Sequence, residues 1–228
     1  MNRTTKLIIL MLLSLSVYFI YQKTNKSIIK ITNIGDSLSL GIDSYGIKKY
    51  GYLDYYKEYL SNKNYKVQLI NKYSKKDLSI KEIKEQIKTN QEIKKDLSES
   101  HIIFITVGYN DLLYKLSLEE NINQNKLTRI IDEIEKDYNE MIKEIRKYYK
   151  NDIYIIGYYK SNKEDYYINK GIRSLNNIIK NNVEVKYIDT YYLLNDQKYF
   201  SNPNSYYPNY KAYKEISKKI IAKTIEIT

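Results

Sequence analysis

The chain has 228 residues, a formal net charge of +11, and no cysteine. Its length allows one sizeable core and does not require two domains, and the lack of cysteine excludes disulfides and thiolate metal sites. The lysine residues are spread over every segment without a basic cluster interleaved with aromatic residues, so we predict no nucleic-acid partner; abundant Lys, Asn, Ile and Tyr are typical of an AT-rich genome. Because tyrosine keeps its hydroxyl near water, we expect many of the 28 tyrosines to be half-buried.

The N-terminal segment, residues 1–27, is predicted to be a signal anchor followed by a polar linker. Residues 7–21 are apolar or small, and basic residues flank them on both sides. This run is short for a membrane-spanning helix, which needs roughly 20 residues, and is typical of a signal h-region. No small-residue cleavage motif follows it, so an uncleaved anchor is our first interpretation, a cleaved signal peptide the second and a buried helix the third. Residues 28–228 are then one domain on the extracytoplasmic face, secreted if the segment is cleaved.

Strands and helices alternate along the rest of the chain. Apolar runs rich in β-branched residues predict five strands, at residues 29–34, 65–70, 101–107, 152–158 and 185–188. Apolar residues at helical spacing predict helices at residues 53–60, between 80 and 97, and at 127–145, 169–180 and 211–225. The alternation favours a parallel sheet covered by helices on both faces.

Two of the predicted strands end in similar turns. The strand 29–34 runs into the sequence GDSL at residues 35–38, and the strand 101–107 runs into GYND at residues 108–111. Ligands of open parallel sheets bind beyond the carboxyl ends of the strands, so Ser37 lies where chemistry is expected. Local sequence alone also allows a structural role, because Asp36 and Ser37 are residue types that cap a following helix.

The two turns, taken together and in this order, resemble blocks I and III of the SGNH (GDSL-type) hydrolases. The similarity continues through residues 41–46 and a closing segment around residues 207–209, and it covers residues 29–222. It implies a three-layer α/β/α sandwich with a parallel, flavodoxin-like five-stranded sheet. It also implies a serine ester hydrolase (esterase, lipase or deacylase) that needs no cofactor and acts on a small acyl ester or an acylated lipid or glycan.

The resemblance implies roles for the matched residues. Ser37 is the nucleophile, and the side chain of Asn110 donates to the oxyanion, although Asn110 can also be read as a plain turn residue. Supporting turn and capping residues are Gly35, Asp36, Gly108 and Asp111. The acidic residues lie mostly on predicted helix surfaces, so we predict no metal site.

Two blocks depart from the family pattern. The block II glycine belongs within residues 71–78, which contain no glycine, and Lys76 or Asp77 stands near its place. A side chain there restricts the backbone angle that aims the N–H group, and Asp77 would bring negative charge toward an oxyanion. In block V, Tyr207 occupies the histidine place, and Asn204 or Ser205 occupies the aspartate place.

A base for Ser37 is therefore not evident. His101, the single histidine, begins a strand that rises about 3.3 Å per residue, which puts it roughly 20 Å from Ser37, so we predict a surface residue. A free phenol titrates near pH 10, so Tyr207 would need a cation such as Lys211 to act as a base. Losing a triad base costs about four powers of ten in rate. We expect a membrane-anchored ester hydrolase with impaired activity, or alternatively an inactive relative that binds an acylated lipid or cell-wall glycan.

Overall fold

The computed structural model describes residues 3–24, 28–160, 165–202 and 205–224. The strands are β1 (Ile28–Gly35), β2 (Lys66–Ser74), β3 (Ile102–Thr106), β4 (Ile153–Ile156) and β5 (Lys186–Ile188). The helices are α1 (Arg3–Thr24), α2 (Tyr52–Asn62), α3 (Ile80–Thr89), α4 (Gln91–Glu99), α5 (Tyr109–Ser117), α6 (Gln124–Arg146), α7 (Tyr166–Asn181) and α8 (Tyr210–Thr224), with a short 3-10 turn at Gln197–Tyr199.

The strands form one parallel sheet in the order β2-β1-β3-β4-β5. This is the predicted flavodoxin-like order, in which the chain reverses its direction of travel across the sheet beside β1. The crevice for a ligand therefore lies beyond the carboxyl ends of β1 and β3. The register places Gly35 of β1 opposite Thr106 of β3, so the two predicted turns leave the sheet side by side.

Both faces of the sheet are covered by helices. Helices α2 and α8 pack against each other, and α3, α5, α6 and α7 form the second group. Every residue of the central strand β3 is buried, which explains why its sequence is a continuous apolar run rather than an alternating one. The predicted stripe over residues 127–145 is the buried face of α6, as its buried residues Leu127, Ile134 and Ile145 show.

One expectation about local structure needs correction, and another holds only in part. The turn predicted at residues 108–111 is confined to Gly108, because α5 begins at Tyr109 and already contains Asn110 and Asp111. Many tyrosines are half-buried, as expected, among them Tyr55, Tyr109 and Tyr159, but several others lie wholly in the core, with less than 2% of their surface exposed. These are Tyr52, Tyr56, Tyr138, Tyr149, Tyr154 and Tyr213.

Helix α1 contains the apolar run of the N-terminal segment. Its side chains Leu10, Met11 and Leu12 are 61–66% exposed. A search of the residues that the structure describes finds no helix with the length and apolar character needed to cross a membrane.

Candidate active site

Ser37 lies just beyond the carboxyl end of β1, where the chain bends sharply over β3. A Cβ atom at Gly35 would lie 2.2 Å from Ser39 Oγ and 2.3 Å from the Thr106 carbonyl oxygen, so only glycine fits. The Asp36 backbone N–H donates to the same carbonyl at 2.9 Å. These contacts fix the position of Ser37, whose side chain is almost fully buried.

The hydroxyl of Tyr207 faces the hydroxyl of Ser37. Ser37 Oγ donates a long hydrogen bond of 3.5 Å to Tyr207 Oη. The backbone of Tyr207 is held on both sides, because Ser44 Oγ donates to its carbonyl oxygen at 2.7 Å and its N–H donates to Ser205 Oγ at 3.0 Å. Ser205, at the predicted aspartate place, thus binds the backbone of Tyr207. Asn204, the other residue considered for that place, lies outside the described residues.

Asn110 reaches the same site from the first turn of α5. Gly108 makes this possible with a φ angle of +116°, which allows the helix to begin immediately after β3. Asn110 Nδ2 donates to the Leu78 carbonyl oxygen at 3.3 Å. The adjacent Asp111 accepts from the Ile80 backbone N–H, with Oδ1 and Oδ2 at 3.3 and 3.2 Å, and so caps α3.

Asp77 occupies the turn where a glycine was expected. Its φ angle is +60°, in the left-handed region, and the Leu78 N–H closes the turn on the Lys75 carbonyl at 3.2 Å. Asp77 adopts this backbone angle although it is not glycine, since aspartate is among the few residues that enter the left-handed region readily. Asp77 lines the site, and Lys76 does not.

Asp36 and Tyr158 form a buried pair behind Ser37. Tyr158 Oη donates to Asp36 Oδ2, and the Leu38 backbone N–H donates to Oδ1 at 3.0 Å. Burial raises the pKa of Asp36 to about 7, against the opposing effect of these donors. Burial also raises the pKa of Tyr158 well above its ordinary value, so Tyr158 keeps its proton and is the donor.

These side chains surround one cavity of about 490 Å³. Residues from several parts of the chain line it, among them Ser37, Ser44, Asp77, Asn110, Tyr158 and Tyr207. None of the described residues that line it is a lysine, arginine or histidine, so Lys211 does not reach it. In the described part of the chain, no three His, Asp or Glu side chains group closely enough to hold a metal ion.

His101 lies at the opposite end of β3, as its place in the sequence predicted. It is exposed, its side-chain Nδ1 accepts from the Lys30 backbone N–H at 3.1 Å, and its backbone N–H donates to the Lys30 carbonyl at 2.8 Å. The imidazole therefore serves strand pairing and is not available to Ser37.

Sequence reasoning missed Tyr158 and Ser44 as parts of the site. Tyr158 follows β4, whose carboxyl end lies at the same edge of the sheet as those of β1 and β3. The strand-end rule that pointed to Ser37, applied to this strand as well, would have selected Tyr158. Ser44 carried no such pattern, because its role depends on a segment more than 160 residues later.

Three solved structures share the fold over most of the chain. The lipase Lip_vut3 from a goat rumen metagenome has 24% sequence identity and a TM-score of 0.74, with 86% of this chain and 97% of that chain covered. An acetylxylan esterase from Geobacillus stearothermophilus has 16% identity and a TM-score of 0.63, with 86% and 93% covered. A member of the lipolytic G-D-S-L family from Veillonella parvula has 17% identity and a TM-score of 0.61, with 88% and 98% covered.

No curated protein matches the sequence. A family model does: residues 31–220 match the model described as GDSL-like Lipase/Acylhydrolase. This match spans both strand-end turns, Asp77 and the segment that carries Tyr207. The chain belongs to the GDSL-like lipase/acylhydrolase family.

Proposed function

We propose that the chain is an ester hydrolase that removes small acyl groups slowly, with Ser37 as the nucleophile. The observation that carries this proposal is the approach of Ser37 Oγ to Tyr207 Oη at 3.5 Å, in a cavity that Asn110 also lines. A nucleophile next to a proton acceptor, with an amide donor on the same cavity, is the minimum that acyl transfer requires. A cavity of about 490 Å³ accommodates a short acyl group together with part of the alcohol.

The proposed mechanism uses the Tyr207 hydroxyl as a proton relay. Ser37 Oγ bonds to the acyl carbon and gives its proton to Tyr207 Oη, while the Tyr207 proton passes to the oxygen of the leaving alcohol. Water then attacks the acyl-serine by the reverse path, which releases the acid and restores both hydroxyls. Asn110 Nδ2 and the backbone N–H groups of Ser37 and Asp77 are the candidate oxyanion donors.

Slow turnover follows from the electrostatics of the cavity. Two carboxyl groups, Asp36 and Asp77, line it, and the described lining includes no cation. Negative charge on an oxyanion or a phenolate would meet repulsion from Asp77, and from Asp36 only above the raised pKa of about 7 at which that buried carboxyl ionises, with no compensating attraction from a described cation. The related acetylxylan esterase was solved as catalytic mutants in which a serine, an aspartate or a histidine is replaced by alanine, whereas this chain has tyrosine where we place the histidine.

The second candidate is a protein that binds an acyl ester without hydrolysing it. The same observation that argues for slow turnover, a cavity lined by carboxyl groups with no imidazole or cation among the described residues, favours this candidate. The two candidates differ in whether Ser37 becomes acylated.

Covalent labelling of Ser37 separates the two candidates. The full-length protein is treated with a fluorophosphonate probe and, separately, with 4-nitrophenyl acetate, beside Ser37→Ala and the exposed control Ser201→Ala. We expect labelling and hydrolysis to disappear in Ser37→Ala alone. Labelling that survives Ser37→Ala would overturn the assignment of the nucleophile, and a folded protein that is not labelled would favour the binding candidate.

Variants at residue 207 test the relay in the same assay. Tyr207→Phe keeps the ring and removes the hydroxyl, and should lower kcat by about 10²-fold, the lower end for general acid–base catalysis. Tyr207→His combined with Ser205→Asp should raise kcat above that of the unchanged chain. A Tyr207→Phe variant as active as the parent would contradict the relay.

We also propose that the N-terminal segment anchors this domain to a membrane on its extracytoplasmic side. The apolar run at residues 7–21 and the exposed Leu10, Met11 and Leu12 of α1 support this. The test fuses a periplasm-dependent alkaline phosphatase reporter to the C-terminus of the full chain and follows it through membrane fractionation and carbonate washing. Reporter activity in the washed membranes is expected, and an inactive reporter or full release by carbonate would contradict the proposal.

A further inference from the structure

A second cavity, of about 780 Å³, lies next to the active-site cavity. Side chains from one face of α7 and from residues 191–200 line it, and we call it the α7 cleft. Its most distinctive lining residues are Lys160, Tyr166, Lys170, Arg173, Tyr192 and Phe200. The proposed hydrolysis uses none of them.

The linings of the α7 cleft and the active-site cavity meet at a pair of aromatic rings. Tyr159 lines the active-site cavity, its chain neighbour Lys160 lines the cleft, and Phe200 lines the cleft on the other side. The Tyr159 and Phe200 ring centroids are 5.8 Å apart. Tyr159 Oη donates to the Tyr206 carbonyl at 2.6 Å, which holds this partition in place. The two cavities are therefore neighbours on the surface of the fold.

The lining of the cleft combines aromatic rings with hydrogen-bonding groups. Tyr166 and Tyr192 are 66% and 64% exposed, and the amides of Asn169, Asn195 and Gln197 lie on the same surface. Tyrosine offers an apolar face and a polar edge, and convergent polar groups around such faces are typical of specific binding sites. A sugar chain, with apolar ring faces and a rim of hydroxyls, matches this surface.

The cations of the cleft are held in place without neutralisation. The Arg173 guanidinium carbon is 5.2 Å from the centre of the Tyr191 ring, and Arg173 Nη2 donates to Tyr192 Oη at 3.2 Å. Lys170 Nζ donates to Tyr166 Oη at 3.1 Å. Within the described residues, no ion pair includes Lys170 or Arg173.

The two carboxylates that line the cleft are already engaged. Asp165 Oδ1 accepts from the Ile168 N–H at 2.8 Å and caps α7, and Asp196 Oδ2 pairs with Lys198 Nζ at 3.0 Å. Three cations, Lys160, Lys170 and Arg173, thus line the cleft against these two carboxylates, of which Asp196 is already paired with Lys198. Arginine and lysine so placed favour ligands that carry carboxylate or phosphate groups.

We propose that the α7 cleft binds an anionic, O-acylated glycan and so presents its acyl group to Ser37. The inference rests on the proposed function, since it names the substrate class of the same site. The sugar rings contact Tyr166 and Tyr192, the acidic groups pair with Lys170 and Arg173, and the chain crosses the Tyr159–Phe200 partition into the active-site cavity.

Binding is measured by calorimetry on the full-length Ser37→Ala protein, so that the result is independent of hydrolysis. The probes are oligogalacturonate, a glycerol-phosphate polymer and neutral xylo-oligosaccharide, which separate carboxylate, phosphate and uncharged ligands. At least one anionic probe should bind about tenfold or more tightly than the neutral one, as expected for charge-assisted hydrogen bonds, and should weaken as salt is added. Equal binding of neutral and anionic probes, or no binding of any probe, would overturn the proposal.

Variants in the cleft locate the binding. Arg173→Gln with Lys170→Gln should lower affinity for the anionic probe at least about tenfold, and Arg173→Lys with Lys170 intact should lower it less. The matched control is Lys180→Gln on the same helix, which is exposed and does not line the cleft. Tyr192→Ala should weaken binding more than Tyr192→Phe, with the exposed Tyr114→Ala as its control.

Kinetics on the otherwise unchanged protein link the cleft to Ser37. In Arg173→Gln, the ratio of kcat/KM on an acetylated anionic glycan to kcat/KM on 4-nitrophenyl acetate should fall, mainly through KM. If the phosphonate probe does not label the chain, yet the Ser37→Ala protein binds the anionic glycan, the proposed hydrolysis fails and the cleft assignment stands. If the chain hydrolyses small esters but the cleft variants bind glycan normally, the cleft assignment alone fails.

Discussion

Tyr207 places a phenol where the family resemblance leads us to expect an imidazole, and the two groups handle protons differently. An imidazole titrates near pH 6.5 and can take a proton outright. A neutral phenol is both a donor and an acceptor, so it passes a proton on when it gives up its own in the same step. The contact between Ser37 Oγ and Tyr207 Oη is 3.5 Å, longer than the about 2.6–3.2 Å over which a proton is transferred, so the relay requires the two hydroxyls to approach each other when substrate binds. The reaction then depends strongly on how the leaving alcohol accepts the proton.

Asp77 is the second departure, and its charge and its backbone can be tested separately. Its side chain is exposed and lines the active-site cavity, and its backbone φ angle lies in the left-handed region. Asp77→Asn removes the charge, and Asp77→Gly also removes the side chain. Two unit charges about 4 Å apart in water repel each other by about 1 kcal/mol. Loss of this repulsion between Asp77 and the oxyanion should raise kcat/KM on 4-nitrophenyl acetate roughly fivefold in both variants.

The comparison between the two Asp77 variants identifies the cause. An equal gain in both variants assigns the effect to charge, and a gain only in Asp77→Gly assigns it to the backbone angle. The same rates as the parent in both variants would show that the Asp77 carboxylate does not act on the reacting carbonyl. Denaturant unfolding serves as the control, since neither change should lower stability at a position where glycine and asparagine both adopt the left-handed region.

The residues of the site were predictable to the extent that they follow strand ends. Ser37 was singled out because ligands bind beyond the carboxyl ends of parallel strands, and Asn110 because the turn that carries it resembles block III of the family. The contact between Tyr158 and Asp36, 122 residues apart, and the support of Tyr207 by Ser44 depend on tertiary packing and leave no periodic pattern in the sequence.

At the scale of elements, the apolar patterns identified all five strands, and the structure moved only their ends. Helix α5 was not predicted, because a Gly-Tyr-Asn-Asp sequence is typical of a turn. Gly108 absorbs that turn in a single residue with φ at +116°, and Leu112 and Leu116 are buried beneath the helix that follows. Tertiary burial of these two leucines outweighed the local turn preference.

The buried tyrosines show a similar limit. The Tyr52 hydroxyl is 2.7 Å from Thr106 Oγ1, and Tyr213 Oη donates to the Ile42 carbonyl at 2.6 Å. A buried hydroxyl is tolerated when it has a partner. The sequence indicates that tyrosine is abundant, but it does not reveal which of these side chains meets such a partner inside the core.

For the whole molecule, the buried carboxyl of Asp36 makes stability depend on pH. Burial raises its pKa from 3.8 to about 7, so the folded state holds a proton that the unfolded state releases. The resulting stability is fully present below the unfolded pKa and is lost as pH rises through about 7. Between pH 5 and pH 8 the loss amounts to about 2–3 kcal/mol in the free energy of unfolding, on the order of 1.4 kcal/mol for each pKa unit traversed.

Urea unfolding of the full-length chain between pH 5 and pH 8 measures this dependence. The Asp36→Asn variant carries no proton to release, so its free energy of unfolding should fall less over this range, by about 2–3 kcal/mol. Tyr158→Phe removes the hydroxyl that favours the charged form of Asp36, so its loss of stability should be displaced to higher pH. If the free energies of unfolding of the parent chain and of Asp36→Asn change with pH in parallel, Asp36 is already ionised at pH 5 in the folded protein. The buried pair would then be a carboxylate that accepts a hydrogen bond from the Tyr158 hydroxyl.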